Sequence, residues 1–304
     1  MNELVTDLKS LEIETLKNLK NSKSVNTLRA YQADFKDFSA FCLKNGLNSM
    51  PTEPKILSLY LTHLSARSKF STLKRRIASI NVIHRIKGHY LDVKHPIIIE
   101  NLLGIKRLKG TNQKGKKAIL INELKIIINA INEEKNESKK YQSKALILIG
   151  FAGGFRRSEL VAVEFEDLDF VNEGVKIFIK RSKTDQSGEG MTKGIPYFTN
   201  KTYCPVTSLK EWIDFSNIKT GRIFKISDKN VALTIKKYAS LAGLDKSKYA
   251  GHSLRSGFAT SAAELGAEER SIMAMTGHKT TQMVRRYIKE ANLFKNNALN
   301  KIKI

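Results

Sequence analysis

From Gly104 to Lys117 the chain reads Gly-Ile-Lys-Arg-Leu-Lys-Gly-Thr-Asn-Gln-Lys-Gly-Lys-Lys. Glycine at three positions, a dense run of bases and little apolar periodicity predict a charged, extended connector. This break constrains the fold more than any other feature. It predicts two separately folded units, residues 1–110 and 118–304, joined by a basic linker over residues 111–117. A length of 304 residues fits that division, because single hydrophobic cores rarely grow so large.

The two sides differ in hydrophobic period. Before the break everything reads as helix. Over residues 25–43, Leu28, Tyr31, Phe35, Phe38 and Cys42 recur at spacings of three and four. Pro51 and Pro54 precede a second such pattern over residues 56–64. A third, over residues 72–86, turns Leu73, Ile77, Ile80 and Ile83 inward and Lys74, Arg75, Arg76 and Arg85 outward. After the break, Asn122 is a plausible N-cap, and the apolar run 145–155 predicts a buried helix stopped by Gly153-Gly154. The period then shortens: residues 161–165, 175–179 and 194–198 alternate and predict three strands with a hairpin. Helices return from Val206 onward. The fold class expected is therefore mainly α with a small β-sheet: a helical unit followed by a mixed α+β unit.

The 53 Lys and Arg against 29 Asp and Glu leave a net charge of +24, spread over both units and not gathered in one tail. Such a chain is expected to meet a polyanion, most simply nucleic acid. The basic faces put Lys74, Arg75, Arg76 and Arg85 on DNA, and the linker region adds Lys106, Arg107, Lys109 and Lys114. A membrane partner is not expected, since the longest apolar run is far short of the ~20 residues that span a bilayer. Residues 1–10 carry acids and no apolar segment of the signal-peptide kind. Two cysteines, Cys42 and Cys204, support neither a disulfide framework nor a Cys-rich metal site, so a reducing cytoplasmic setting is expected.

Three clusters carry possible chemistry: Gly154-Phe-Arg-Arg-Ser-Glu-Leu160, Gly251-His-Ser-Leu-Arg-Ser-Gly257, and Gly277-His278 with Tyr287 nine residues further on. A fourth, Arg181-Ser-Lys-Thr-Asp185, falls at the expected hairpin. Arginine forks bind two phosphate oxygens at once and stay charged. Two of them neutralise charge growing on a phosphorane-like transition state, as metal ions do elsewhere. Histidines move protons near neutral pH, a tyrosine hydroxyl is a covalent nucleophile once cations assist its ionisation, and a hairpin lysine can protonate a leaving oxygen. Together the parts describe phosphoryl transfer through a phosphotyrosine. Singly, each has a plainer reading: Arg156 or Arg255 pairing with Glu159 or Glu264, His252 as a helix cap, Tyr287 as core packing. The combination and its order carry the case.

These clusters resemble the tyrosine recombinase (phage integrase) family, with Cre-like plasmid and phage enzymes nearest. Arg156 and Glu159 stand where its first arginine box has its arginine and acid, His252-Ser-Leu-Arg255 matches its His-x-x-Arg box, and Gly277-His278 with Tyr287 matches its closing histidine and nucleophile. Lys183 matches its hairpin lysine. Upstream, Asn26-Thr-Leu-Arg-Ala-Tyr31 and Ser71-Thr-Leu-Lys-Arg-Arg-Ile77 are similar to its core-binding domain, so the likeness runs from about Ser24 to Ala298. Phe155 and Arg157 depart from the usual pattern, and Arg157 raises the question of which arginine enters the site.

The resemblance implies a SAM-like helical core-binding domain and a mixed α+β catalytic domain that close as a clamp on duplex DNA. It implies that Tyr287 attacks the scissile phosphate to form a 3′-phosphotyrosine, that Arg156 and Arg255 hold the non-bridging oxygens, and that His252 and His278 supply hydrogen bonds and proton transfer. Glu159 would orient the site and Lys183 would act as general acid. No cofactor, metal or ATP is implied. The chain would be a monomer when free and a homotetramer on two inverted-repeat sites, exchanging strands through a Holliday junction in the nucleoid. Its tail, with Leu293, Phe294, Leu299 and Ile302, would dock on the neighbouring subunit. A non-catalytic DNA-binding protein would need a broken site, and a type IB topoisomerase would share the chemistry without needing two matched sites.

Overall fold

In the computed structural model, which describes residues 8–111, 115–182, 189–291 and 298–302, the chain divides into two compact units at Lys114/Gly115.

The first unit is helical: α1 (Leu8–Asn21), α2 (Val25–Lys44), α3 (Pro54–Ser65), α4 (Phe70–Ile86) and α5 (Pro96–Lys109). Ser24 caps α2 by accepting from the Thr27 N–H, and proline opens α3 and α5, where a missing N–H costs nothing. Phe38, Cys42, Leu57, Leu61, Leu64, Leu73 and Ile80 form the core, as their spacing predicted.

Two expectations fail here for physical reasons. The residues from Gly104 to Lys109 are the end of α5, not linker, because Ile98 and Ile105 bury against the core while Gly104 stays on the open face. Gly110, at φ +68°, stops the helix. Lys106, Arg107 and Lys109 therefore stand exposed on its last turns, and Lys114 lies outside the described residues. The second failure concerns α4. Asp34, 2% exposed, takes ion pairs from Arg75 and Arg76 and a 2.7 Å hydrogen bond from the Ser79 hydroxyl. Arg76 Nη1 also reaches Asp37 Oδ2 and the Tyr60 hydroxyl, each at 2.6 Å. With 17% of its side chain exposed, Arg76 ties α4 to α2 and does not stand outward as expected. Removing one partner of such a buried pair typically costs about 3–5 kcal/mol. Lys74, Arg75 and Arg85 remain exposed, Arg75 with its guanidinium end on Asp34.

The second unit opens with α6 (Ile121–Asn132) and α7 (Glu137–Ala152). Asn122 lies inside α6 and does not cap it: the Glu123 carboxylate accepts the Leu120 N–H at 2.7 Å instead. Along α7, Ala145 to Phe151 are all buried. A short α8 (Arg157–Leu160) follows, and then residues 161–165 turn where a strand was expected. Val161 and Val163 are buried, but the only ladder contact there is a single bridge from Glu164 to Arg222. Asp167 accepts the Glu164 N–H at 2.9 Å and winds the next residues into a 3-10 turn. The sheet forms just beyond, antiparallel and ordered β1 (Leu168–Val171), β2 (Gly174–Ile179), β3 (Met191–Pro196). Residues 183–188 of the β2–β3 connection, Lys183 among them, lie outside the described residues.

Helices α9 (Pro205–Ser216), α10 (Asp228–Leu241), α11 (His252–Glu264), α12 (Glu269–Thr276) and α13 (Thr281–Ala291) complete the unit. The core gathers around α7, with Ile127, Ile131, Ile177, Val206, Leu209, Ile235 and Leu254. Among the described residues no helix is long and apolar enough to cross a membrane.

Candidate active site

The site begins where α7 runs out. Gly153 caps the helix, its N–H on the Ile149 carbonyl at 2.9 Å, and Gly154 takes a left-handed turn at φ +54°. A Cβ on Gly153 would stand 2.1 Å from the Phe155 ring, so the turn closes only around glycine. It delivers Arg156 to the head of α8. There Glu159, 4% exposed, accepts the Arg156 N–H at 2.9 Å and its Nη1 at 2.5 Å. Arg156 Nη2 lies 3.5 Å from the Gly277 carbonyl. The neighbouring Arg157 goes elsewhere: its side chain crosses Gly251, where a Cβ would lie 1.8 Å from Cδ, and its Nη2 sits 3.7 Å from Asp228. The structure thus places Arg156, not Arg157, on the site side.

Arg255 comes from the first turns of α11 and is 1% exposed. Its Nη1 donates to the Gly154 carbonyl at 2.9 Å, and its buried Nη2 has no partner among the described residues. Burial, reinforced by Arg156, lowers its proton affinity to about 10, which leaves it charged at neutral pH. A buried donor without a partner is costly, and an anion bound between the two guanidinium groups would satisfy it.

His252, three residues before Arg255, places Nε2 3.4 Å from the Tyr287 hydroxyl. Partial desolvation, then the charges of Arg255 and Arg156, lower its pKa and favour the neutral ring, whose lone pair can accept a proton. Tyr287 projects from α13, its ring against the small cluster of Ala259, Ala263, Ile272 and Val284. Packing and the approach to His252 are thus combined in one side chain. His278 stacks obliquely on it, ring centroids 6.0 Å apart.

His278 carries a finer constraint. Its Nδ1 lies 2.7 Å from Thr276 Oγ1, and the Thr276 hydroxyl donates its only proton to the Ile272 carbonyl at 2.6 Å. Oγ1 must therefore accept, so Nδ1 carries the hydrogen and the neutral ring keeps Nε2 as an acceptor. Burial, then the charges of Arg255 and Arg156, pull the pKa down to about 4. A depressed histidine pKa means the unfolded chain binds the proton first. Its contribution to stability is complete above about 6.5 and declines as pH falls towards 4. Replacing Thr276 with Val should release the tautomer and slow strand cleavage about tenfold, the worth of roughly one hydrogen bond. Single-turnover cleavage and histidine ¹⁵N shifts would check this; an unchanged Nδ1–H signature would sink the assignment.

Arg156, Glu159, His252, Arg255, His278 and Tyr287 thus converge as their order in the chain suggested, while Lys183 is outside the described residues. Sequence reading passed over Thr276 and also Lys193, whose Nζ reaches the Gly153 carbonyl at 2.7 Å. Lys193 had a signal: it shares strand parity with the buried Ile195. Among the described residues no group of three or more His, Cys, Asp or Glu is placed to hold a metal ion.

A model of the phage integrase family matches residues 117–293. The chain belongs to the phage integrase family, the tyrosine-type site-specific DNA recombinases. An integrase/recombinase XerD homolog from Selenomonas ruminantium is 42% identical over 287 residues, spanning 90% of this chain and 84% of the relative. Among solved structures, XerH site-specific recombinase bound to palindromic difH substrate, in its post-cleavage complex, superposes with a TM-score of 0.63 at 17% identity. That match covers 81% of this chain and 73% of the other. A lambda integrase dimer bound to a COC′ core site gives 0.59 at 15%, covering 98% and 80%. These two structural likenesses concern the fold.

Proposed function

We propose that Tyr287 is the nucleophile of DNA strand cleavage, with Arg156 and Arg255 on the non-bridging oxygens of the scissile phosphate. One observation carries the reading: the phenol oxygen stands 3.4 Å from a neutral-leaning imidazole, within a cluster of guanidinium groups that has Glu159 as its buried acid. Proton transfer to His252 Nε2 frees the phenolate. The Tyr287 oxygen bonds to phosphorus as the bond to the 5′ oxygen breaks, leaving a 3′-phosphotyrosine and a 5′-hydroxyl. The leaving oxygen takes its proton from Lys183, the hairpin lysine of the family pattern. The phosphodiester's energy stays in the new bond, so rejoining to a partner's 5′-hydroxyl needs no ATP, and two such exchanges pass through a Holliday junction.

The DNA partner is a duplex with inverted-repeat sites, acted on in the nucleoid. In the first unit, Lys69 and Lys74 from the start of α4 and Lys106 and Lys109 from the end of α5 line one cleft of about 620 Å³, suited to a phosphate track. The active assembly is a homotetramer built from free monomers. An apolar groove of about 670 Å³, lined by Leu124, Phe151, Ile195, Phe258 and Met275, suits the apolar tail of a neighbouring copy.

A nicked suicide duplex tests the core of this reading. With EDTA present, denaturing electrophoresis should show a covalent protein–DNA adduct, and peptide mapping should place the nucleotide on Tyr287. An adduct on another residue, or none on any duplex that the protein binds specifically, would overturn it.

A further inference from the structure

Lys193 is among the most completely buried large side chains of the protein, at 1% exposure, and among the described residues no acid forms an ion pair with it. Burying an ammonium is costly unless it is held by hydrogen bonds or other charges. Here Nζ donates to the Gly153 carbonyl at 2.7 Å and lies 4.4 Å from the centroid of the Phe155 ring, a cation–π contact. The next carbonyl in the chain, that of Gly154, takes the Nη1 of Arg255. Two cations from different elements, β3 and α11, thus clasp successive carbonyls of the turn that carries Arg156. The same turn ends α7, where carbonyls left without helical partners concentrate partial negative charge.

We propose that Lys193 is a positioning residue of the recombination site: its ammonium holds the Gly153–Phe155 turn so that Arg156 and Arg255 meet one phosphate. The proposal rests on reading those two arginines as the phosphate-binding pair. It also gives the Phe155 departure a use, because the larger ring supplies the face on which the ammonium rests. The charged groups that bear on Lys193 are Glu159, Arg255 and Arg156. Burial lowers its pKa to about 8, with the two arginines acting in the same direction and Glu159 against them. The ammonium form prevails at neutral pH and is lost above about 8.

The test uses the full chain under single-turnover conditions on two nicked duplexes, one natural and one with a neutral methylphosphonate at the scissile position. Removing a non-bridging charge removes much of the demand on the arginines, so a defect that acts through them must shrink on the second duplex. Lys193→Met keeps the aliphatic stem and removes the ammonium. It should bind the duplex as wild type does, cleave the natural phosphate about 10²-fold more slowly, the scale of a small misplacement of catalytic groups, and cleave the methylphosphonate nearly normally. Equal loss on both substrates, or no loss on either, overturns the proposal.

Should Lys193→Met fail to fold, the wild type alone decides. Its rate on phosphate relative to methylphosphonate should fall about threefold or more between pH 7 and 9.5 as the charge-assisted bond weakens. A flat ratio overturns the proposal. If wild type forms no Tyr287 adduct on the natural duplex, the reading of the site fails instead, and the two failures are distinguishable.

Discussion

Tyr287→Phe should leave no detectable covalent adduct on a nicked duplex while binding that duplex as tightly as wild type. The substitution deletes one oxygen. The ring keeps its seat against Ala259, Ala263, Ile272 and Val284, and the lost contact to His252, at 3.4 Å, is too long to hold the helix in place. Fold and DNA affinity are thus expected to survive, and chemistry is not, because the oxygen removed is the one that stands beside His252 Nε2. The decisive measurement is adduct yield over hours at saturating protein, beside a gel-shift titration. Persistent adduct in the Phe variant would move the nucleophile elsewhere.

Arg255→Lys is the second large effect, and it separates charge from geometry. Lysine keeps the positive charge but has no planar fork, so it cannot bond the Gly154 carbonyl and present a second aligned donor to a phosphate oxygen. Cleavage should fall about 10²–10³-fold, the usual cost of removing one transition-state donor. Whichever group goes unserved adds to the loss. A Gly154 carbonyl left bare should also lower stability by about 1–3 kcal/mol, seen as an earlier denaturant midpoint. Duplex affinity should change little, since most of it comes from other phosphates. If Arg255→Lys cleaved within a fewfold of wild type, the fork would not matter and the two-arginine account would be wrong.

Much of this architecture was legible before any coordinates, because long amphipathic periods leave little freedom. Helices α2, α3 and α4 appear within a few residues of their expected ends, and the Gly153-Gly154 stop falls where the residues put it. The failures share a cause: in each, a side chain took a partner or a seat in the core that composition does not reveal. Residues 161–165 alternate like a strand, yet Asp167 closes a turn there. Gly104 to Lys109 look like a linker, yet Ile98 and Ile105, two turns apart on one helical face, pull the segment onto the core. Arg76 looks outward on a helical wheel, yet Asp34 on α2 is buried and demands cations. In the candidate site, the residues that the structure brings together could be named from the sequence, but the partners that hold them could not. The contacts of Thr276 and Lys193 exist only after folding.

The halves of the site rest on supports of unequal strength. Arg156 and Arg255 are anchored to the turn ending α7, whose residues from Ala145 to Phe151 are buried in the main core. Tyr287 rides on α13, where, among the described side chains, Val284 is fully buried and Tyr287 and Ile288 are partly covered. Protection from amide exchange should therefore be high beneath the arginines and low beneath the tyrosine, since local opening free energy follows buried apolar contact. The phosphate-holding half would outlast the attacking half in any partial unfolding. On the proposed roles, opening of that one helix would withdraw the nucleophile and leave the two arginines in place.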